Sequence, residues 1–210
     1  MLNEDQIKLL DKLICQTLQT DKFHYQITKY LFFLLKKNQE LNLVSRQMDI
    51  ETIIVDHIFD CLAGFEYFES YPDITDLGSG GGFPGLLLAI AHPQKKVILI
   101  EKSPKKAAFL NDACVHLSLD NVTVYNGLVG DKKIRTSCIT CRGFKPINVI
   151  LDMTAEYFKN GGTYLLYKGK IDKIEEELKL ARKKFTVHQK IVKIDKIKNK
   201  ERYLVIINEK

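Results

Sequence analysis

A run of glycines between two acidic residues is the part of this chain whose residue types and spacing most suggest chemistry. Five glycines lie within residues 78–85, directly after Asp76 and one apolar residue. Glycines cluster in this way where the backbone turns tightly and passes close to a ligand. A second acid, Glu101, follows the apolar run Val97–Ile100, nineteen residues after Gly82. A carboxylate at about twenty residues beyond a glycine loop is placed to bind ribose hydroxyls, which predicts a nucleoside-containing cofactor.

The spacing of these glycines narrows the class of cofactor. The pattern is acid-x-Gly-x-Gly-x-Gly, and the loop has no Lys and therefore no phosphate-binding Gly-Lys-Ser/Thr sequence. The acid favours S-adenosylmethionine, whose ammonium group needs a partner and which carries no phosphate. The predicted cofactor-binding residues are Asp76, Gly78, Gly80, Gly82 and Glu101. Because Gly80, Gly82 and Gly85 also satisfy the dinucleotide spacing G-x-G-x-x-G, a dinucleotide cofactor and a purely structural glycine turn remain as alternatives.

Arg142 and Lys168 are the candidate catalytic residues on the other side of the predicted site. Each ends a run of residues that predicts a strand, and ligands of open parallel sheets bind beyond the carboxyl ends of the strands. Arg142 can orient a substrate base or a phosphate, or it can brace the fold through a salt bridge, and Lys168 has the same two interpretations. His57 and Asp60 lie one helical turn apart and are interpreted as a hydrogen-bonded brace rather than a catalytic dyad.

The five cysteines do not indicate a disulfide framework, because their number is odd and their positions are scattered. Cys138 and Cys141 form a single C-x-x-C, with no second pair or nearby histidines in the sequence to complete a zinc site. A redox C-x-x-C opens a helix, whereas residues 137–141 predict a strand. We therefore expect two small buried side chains rather than a metal or redox site.

Two kinds of secondary structure must position these residues. Apolar residues recur at helical spacing over residues 2–68, with a loop predicted at 42–46. Asp49 can cap a third helix after this loop. Asn38 and Asn42 lie one helical turn apart at the start of the loop. Asn38 and Asn42 either bond loop backbone or contact RNA. From Ile74 onward short strands alternate with helices, which predicts a parallel sheet covered on both faces. Strands are predicted at 73–77, 96–100, 121–125, 137–141, 162–168, 185–194 and 202–208, and helices at 84–92, 104–118, 147–158 and 171–182. The last two strands predict a closing hairpin and hence a mixed sheet.

Length and composition are typical of one substantial globular unit. The chain has 210 residues, 45% of them hydrophobic, which is enough for a full core. We predict an N-terminal helical segment over residues 1–70 that packs on a Rossmann-like domain over residues 71–210. No run of eighteen apolar residues exists, and the start of the chain does not resemble a signal peptide, so a cytoplasmic protein without a membrane span is expected.

Positive charge is concentrated near the end of the chain. Residues 165–210 hold 14 Lys and Arg against 7 Asp and Glu, a balance of +7, whereas residues 1–164 hold 18 and 19, a balance of −1. Such a basic region suits a polyanion such as RNA, although a solvated lysine-rich surface has the same composition.

Six ordered segments, beginning near residue 30, resemble the bacterial glucose-inhibited division protein B family, the small-subunit ribosomal RNA guanine-7 methyltransferases. The glycine loop ends in the Pro-Gly pair of that family, and Arg142 with Gly143 and Phe144 resembles its Ser-Arg-Ala-Phe segment. The other similar segments are 38–45, 56–62, 103–106, and 160–162 with 167–169.

This resemblance implies a class I S-adenosylmethionine-dependent methyltransferase fold, a mostly parallel seven-stranded sheet with one antiparallel strand. The implied reaction is methyl transfer from S-adenosylmethionine to nitrogen 7 of a guanine in 16S ribosomal RNA, in the decoding-centre region of the small subunit. The implied partner is that RNA or the small ribosomal subunit, with no metal and no membrane, and we expect a monomer. Gly78 and Phe83 match the family's loop contacts, Leu128 and Val129 align with a pair that holds adenine, and Arg142 matches a family arginine at the cofactor.

This chemistry needs no catalytic triad, and the sequence shows none. Nitrogen 7 of guanine carries a lone pair and no proton at neutral pH, so attack on a sulfonium methyl group requires no general base. Alignment of the reacting atoms supplies about 7–11 kcal/mol at its upper end. Two other classes of protein remain as alternatives: an NAD(P)-dependent oxidoreductase, which a nicotinamide cofactor would stabilise thermally, and a non-catalytic RNA-binding assembly factor, whose RNA binding would be indifferent to cofactor.

Overall fold

A seven-stranded sheet lies between two layers of helices in the computed structural model, which describes residues 4–18, 23–131, 133–194 and 201–208. The strands are β1 (Asp73–Leu77), β2 (Lys96–Glu101), β3 (Val122–Asn126), β4 (Cys138–Arg142), β5 (Tyr164–Lys168), β6 (His188–Lys193) and β7 (Tyr203–Asn208). The helices are α1 (Glu4–Leu18), α2 (His24–Leu41), α3 (Ile50–Ile53), α4 (Asp60–Leu62), α5 (Gly85–Ala91), α6 (Pro104–Leu117), α7 (Ile147–Met153), α8 (Ala155–Lys159) and α9 (Ile171–Ala181). A π-helical turn, Ile54–Phe59, joins α3 to α4, and a 3₁₀ turn, Phe65–Phe68, precedes β1.

The strand order is β3-β2-β1-β4-β5-β7-β6, and β7 runs antiparallel to both of its neighbours. The other adjacent pairs are parallel. This arrangement confirms the predicted mixed sheet with its closing hairpin. Because the order reverses between β1 and β4, a crevice opens beyond the carboxyl ends of these two strands, where open sheets of this kind bind ligands. The glycine loop follows β1 and Arg142 ends β4, so both predicted halves of the site meet there.

Each face of the sheet carries its own hydrophobic cluster. The larger cluster joins the sheet to α5, α6 and the helices that precede β1, and the smaller one joins it to α7, α8 and α9. Successive side chains of a strand point to opposite faces, so residues three apart do not share a face. Cys138 accordingly lies in the first cluster and Cys141 in the second, and both are buried. The two thiols cannot form one metal or redox site, and no group of three or more potential metal ligands occurs among the described residues.

The helices before β1 pack directly on the sheet's own helices. α2 contacts α5 and α6, and α4 contacts α5. Asp49 caps α3 as expected, with its carboxylate accepting a hydrogen bond from the Thr52 amide at 2.6 Å. Asn38 accepts hydrogen bonds from the amides of Leu43 and Val44, at 2.6 and 3.0 Å, and so holds the loop after α2. Of the two interpretations of Asn38, the structure shows the bond to loop backbone.

One predicted helix is divided in the structure. The sequence predicts a single helix over residues 147–158, but α7 ends at Met153 and α8 begins at Ala155. Thr154 between them has ψ of 29°, and its hydroxyl bonds the Ile150 carbonyl and the Tyr164 hydroxyl, each at 2.7 Å. A hydroxyl that bonds backbone one turn earlier competes with regular helix geometry. The prediction of one continuous helix was wrong because the partner on β5 cannot be read from local spacing.

Within the described ranges, no helix has the length and apolarity needed to cross a membrane.

Candidate active site

The glycine loop after β1 has a backbone conformation that residues other than glycine rarely adopt. Gly78, Gly80 and Gly82 have φ of 70°, 55° and 94°. At Gly78 a Cβ atom would lie 2.3 Å from the Phe144 ring, so this position is closed by packing. At Gly80 such a Cβ would make one ordinary van der Waals contact among the described residues, with the Gly78 carbonyl oxygen at 3.7 Å, so this position is much less crowded. The loop is therefore packed on one side and open at Gly80, as a close approach to a ligand requires.

Hydrogen bonds fix this loop against β2 and α2. The amides of Gly78 and Ser79 donate to the Ile100 carbonyl at 2.8 and 3.2 Å. The Tyr30 hydroxyl donates to the Gly81 carbonyl from the buried face of α2. The loop is thus held in place by contacts with β2 and with the Tyr30 side chain of α2.

Glu101 lies where the sequence places it, at the end of β2 beside the loop. Its Oε2 accepts a hydrogen bond from the Gly80 amide at 2.9 Å, and its Oε1 accepts one from the Ser103 amide at 2.8 Å. The residue is 6% exposed. Because a carboxylate oxygen has two lone pairs, each oxygen retains acceptor capacity for a hydroxyl group.

Asp76 lies beneath the loop and is fully buried. Its Oδ2 accepts a hydrogen bond from the Gly85 amide at 3.2 Å, while Oδ1 has no hydrogen-bond partner among the described residues. Burial raises the pKa of this carboxyl group to about 7. An unpaired buried acceptor is costly. A cationic group bound above the loop would favour the ionised form, which fits the acid expected for S-adenosylmethionine.

Phe83, which is predicted to contact the cofactor from the glycine loop, and Leu128 with Val129, which are predicted to contact adenine, lie in different environments. Phe83 is buried, and its ring centroid lies 5.7 Å from that of Tyr30 and 5.1 Å from that of His57. Leu128 is 55% exposed, and its amide donates to Asp131 at 3.0 Å. Val129 is half-buried against the smaller core cluster. Leu128 and Val129 follow β3 at the edge of the cofactor half, and their contact with adenine stays a prediction.

Each of the three guanidinium nitrogens of Arg142, at the end of β4, has a protein partner. Its Nε donates to Asp60 Oδ2 at 2.9 Å, its Nη1 lies 3.1 Å from His57 Nδ1, and its Nη2 donates to the Asp56 carbonyl. All three partners come from the π-helical turn and the start of α4. Arg202 adds a second cation, with its Nε 3.0 Å from Asp60 Oδ1 as an ion pair.

His57 is neutral in this arrangement. Burial, together with the nearby charge of Arg142, lowers the pKa of His57 to about 4. Because a guanidinium can only donate, Nδ1 must accept, and the ring proton lies on Nε2. His57 and Asp60 both serve Arg142 rather than each other, so the brace predicted for this pair is replaced by a brace that includes the arginine.

Lys168 at the end of β5 is also paired. Its Nζ donates to the Lys145 carbonyl and to Glu177 Oε2, both at 2.8 Å, and the same carboxylate oxygen accepts the Ile147 amide at 2.9 Å. A cavity of about 350 Å³ opens between the loops after β4 and β5. It is lined by residues that include Cys141, Phe144, Lys145, Lys168, Lys173 and Glu177.

Four residues of this site were not identified from the sequence: Tyr30, Asp56, Glu177 and Arg202. Tyr30 lies on an apolar helix face, which predicts only burial. Asp56 contributes a backbone carbonyl, for which no residue type is diagnostic. Glu177 is one of three consecutive acids on α9, and helical periodicity puts it on the buried side with Ile174 and Leu178. That periodicity was the available signal for Glu177.

The chain matches a known family over most of its length. The family model described as GidB, rRNA small subunit methyltransferase G, matches residues 24–205. The protein "Ribosomal RNA small subunit methyltransferase G 1" of Bdellovibrio bacteriovorus is 43% identical over 161 residues, covering 76% of this chain and 77% of that protein. The "Ribosomal RNA small subunit methyltransferase G" of Brachyspira hyodysenteriae is 36% identical over 183 residues, covering 87% of this chain and 89% of that protein.

Solved structures show the same fold at low sequence identity. An O-methyltransferase from Bacillus cereus, solved in complex with SAH, superposes with a TM-score of 0.62 at 16% identity, and the match covers 95% of this chain and 96% of that one. This similarity, with the strand order above, confirms the class I methyltransferase fold.

Proposed function

Because the chain belongs to the rRNA small subunit methyltransferase G family, we propose that it transfers a methyl group from S-adenosylmethionine to nitrogen 7 of a guanine in 16S ribosomal RNA. The chain is an S-adenosylmethionine-dependent rRNA methyltransferase. The identity of the base, its reacting nitrogen and the decoding-centre location belong to the proposal. The oxidoreductase and assembly-factor alternatives are not favoured by these relatives.

The observation that carries the proposal is the open position at Gly80 beside the Glu101 carboxylate, at the point where the strand order reverses. Gly78, Gly80 and Gly82 would let the cofactor lie against backbone, and Glu101 would accept ribose hydroxyls. Asp76 would support the ammonium group from below the loop through electrostatic attraction. Phe83, Leu128, Val129 and Arg142 complete the proposed cofactor-binding residues.

S-adenosylmethionine, when bound, supplies an electrophilic sulfonium methyl group. The work of the protein is then to orient the base and exclude water. The cavity of about 350 Å³ beyond β4 and β5 has room for a purine, and Phe144 lines it while packing on Gly78. Lys168 at its wall is paired with Glu177 and the Lys145 carbonyl, and the third N–H of its ammonium group would donate to a phosphate or to the O6 atom of guanine. We propose this cavity as the place where the target base enters.

Arg142 is proposed to act through its position between the two halves. Its three hydrogen-bonding nitrogens hold the π-helical turn, which carries His57 against Phe83. Arg142 therefore connects the tip of β4 to a residue that packs beside the glycine loop. Loss of this connection would displace both the target-base side and the cofactor side.

The remaining parts of the proposal concern cellular context. Ribosomal RNA is the substrate that the family implies, either free or within the small subunit. We propose that the protein acts in the cytoplasm as a monomer and needs no metal ion.

Methylation of ribosomal RNA from cells that lack this protein tests the proposal. With radiolabelled S-adenosylmethionine, we expect one methyl group per 16S RNA, at a guanine that becomes sensitive to borohydride and aniline cleavage, as 7-methylguanine is. Thermal stabilisation of the protein by S-adenosylmethionine and not by NAD should accompany it. Stabilisation by NAD alone, or a methyl group on another atom or on 23S RNA, would contradict the proposal.

A further inference from the structure

α2 has one face inside the protein and one face in solvent. Its buried side chains are Ile27, Tyr30, Leu31, Leu34 and Asn38. On the opposite side, Tyr25, Lys29, Phe32 and Lys36 follow one another at intervals of four, three and four residues, so they form a single line along the helix. We refer to these four residues as the outer stripe. It alternates aromatic and cationic side chains.

The two aromatic side chains of the outer stripe are unusually open to solvent. Tyr25 is 72% exposed and Phe32 is 38% exposed. Within the described part of the chain, they are the only aromatic residues among the exposed large hydrophobic side chains. Both rings are therefore accessible for stacking against a flat partner.

Lys29 and Lys36 of the outer stripe differ from the next lysine on α2 in their ion pairing. The next lysine on α2, Lys37, is neutralised by Asp112 of α6 at 3.3 Å. Across the described ranges, no carboxylate lies within ion-pair distance of Lys29 or Lys36. Desolvation, followed by the charges of Lys29 and Lys36, lowers the pKa of His116 at the end of α6. His116 stacks on Phe33 at 4.7 Å, so the end of α6 adjoins the stripe.

Exposed rings alternating with cations match the chemistry of a single-stranded nucleic acid. Bases stack on aromatic side chains, and lysines contact the intervening phosphates. Tyr25 and Phe32 lie about 10 Å apart along the helix axis, which leaves room for a phosphate contact between two stacked bases. An acidic protein could pair with the two lysines, but its carboxylates would not stack on the two exposed aromatic rings as nucleic-acid bases do.

We propose that the outer stripe binds a single-stranded segment of ribosomal RNA, with bases stacked on Tyr25 and Phe32 and phosphates on Lys29 and Lys36. This inference rests on the proposed function for the identity of the RNA. The same helix donates the Tyr30 hydroxyl to Gly81, so the stripe lies on the element that holds the cofactor loop. RNA held there is anchored beside the cofactor half of the site rather than at the target cavity.

Equilibrium binding to protein-free 16S ribosomal RNA at several salt concentrations tests the stripe. In the double variant Tyr25→Ser with Phe32→Ser we expect the affinity to fall by about fivefold or more for each ring, with the salt dependence unchanged. In Lys29→Gln with Lys36→Gln we expect the slope of log affinity against log salt to become shallower by about 1.4 units. The two variants thus have different signatures. Both should raise KM for RNA while leaving kcat at saturating RNA unchanged.

Leu180→Ser on α9 is the matched control, because Leu180 is 46% exposed and lies on another helix. Its RNA affinity should equal that of the wild type. Unchanged affinity for protein-free RNA in both double variants would overturn the proposal, even if binding to the assembled subunit weakened, since that result would place a ribosomal protein on the stripe. Failure of the wild type to methylate RNA would refute the proposed function, whereas the binding measurements decide the stripe independently.

Discussion

The two halves of the active site are built in different ways. In the cofactor half, loop amides and the carboxylate of Glu101 hold each other, and open space remains at Gly80. In the target half, Arg142 is paired with Asp60, 82 residues earlier in the sequence, and Lys168 is paired with Glu177 on the following helix. The first half consists mainly of backbone with acceptors left over, and the second consists of charged side chains that already have partners.

Because of this difference, the two halves should tolerate different kinds of amino-acid substitution. A loop that approaches a ligand through backbone is sensitive to any added side chain, whatever its polarity. Paired charges tolerate shape changes but not loss of a partner, because the remaining charge is left buried. Substitutions in the cofactor half should therefore affect ligand binding first, whereas those in the target half should affect stability and turnover together.

The largest effect is expected for Gly80→Val. The new side chain would occupy the open space beside the loop, and φ of 55° is unfavourable for a β-branched residue. We expect calorimetric binding of S-adenosylmethionine to be lost, a change of at least a hundredfold.

Gly161→Val is the matched control for backbone strain. Gly161 also has a positive φ, 80°, and a Cβ atom there would meet nothing within 4 Å, but it lies in the turn after α8. If both variants lose stability equally while only Gly80→Val loses the cofactor, occupied space is the cause. Wild-type affinity in a folded Gly80→Val protein would refute the placement of the cofactor.

Arg142→Ala is expected to reduce methyl transfer by more than tenfold while the fold survives. It removes three hydrogen bonds at once and leaves Asp60, 3% exposed, with Arg202 as its cation. Loss of one partner of a buried pair costs about 3–5 kcal/mol, and we expect the lower end because Arg202 remains. Single-turnover kinetics and urea unfolding measure the two effects.

Lys184→Ala provides the comparison at the surface. Lys184 pairs with Asp152 at a similar distance, 3.0 Å, but both side chains are exposed, so little change is expected in either measurement. If Arg142→Ala loses stability and keeps normal turnover, Arg142 only braces the fold, and the target half has no role for it in the reaction.

The same contrast explains which features the sequence revealed. Glycine spacing and the acid that ends β2 are local features, and the loop therefore lies where it was predicted. The partners of Arg142 lie 82 to 86 residues earlier in the chain, so the spacing located the arginine but not its ion pair. The π-helical turn that presents the Asp56 carbonyl has no signature in apolar periodicity. Likewise, the break at Thr154 depends on a contact with the Tyr164 hydroxyl of β5, which local spacing cannot show.

Stability should depend on pH in opposite directions in the two halves. Burial raises the pKa of Asp76 from 3.8 to about 7, so its favourable contribution is present below pH 4 and is lost as pH rises toward 7. Burial and Arg142 lower the pKa of His57 from 6.5 to about 4, so its contribution is present above pH 6.5 and is lost as pH falls toward 4. Urea unfolding without cofactor, from pH 4.5 to 7.5, measures both.

Single variants separate these two contributions. Relative to Asp76→Asn, the wild type should lose stability as pH rises through this range. Relative to His57→Gln, it should lose stability as pH falls. Parallel curves for the wild type and Asp76→Asn would show that Asp76 is already ionised without cofactor, and the proposed role of its unpaired oxygen would then fail.

The smallest effect is expected at Lys196, Lys198 and Lys200, which lie outside the described residues, between β6 and β7. In the sequence they precede Arg202, whose guanidinium contacts Asp60 in the target half, whereas the outer stripe lies on the helix that donates the Tyr30 hydroxyl to the cofactor loop. Neutralising all three should make the salt slope of RNA binding shallower by about two units if each contacts a phosphate. Cofactor affinity should not change. If these three lysines and the outer stripe both contact RNA, combining the triple variant with Lys29→Gln and Lys36→Gln should add their slope changes, because each phosphate contact releases its own counterions. An unchanged slope in the triple variant alone would leave the outer stripe, or the lysines at 102, 105 and 106, to hold the RNA.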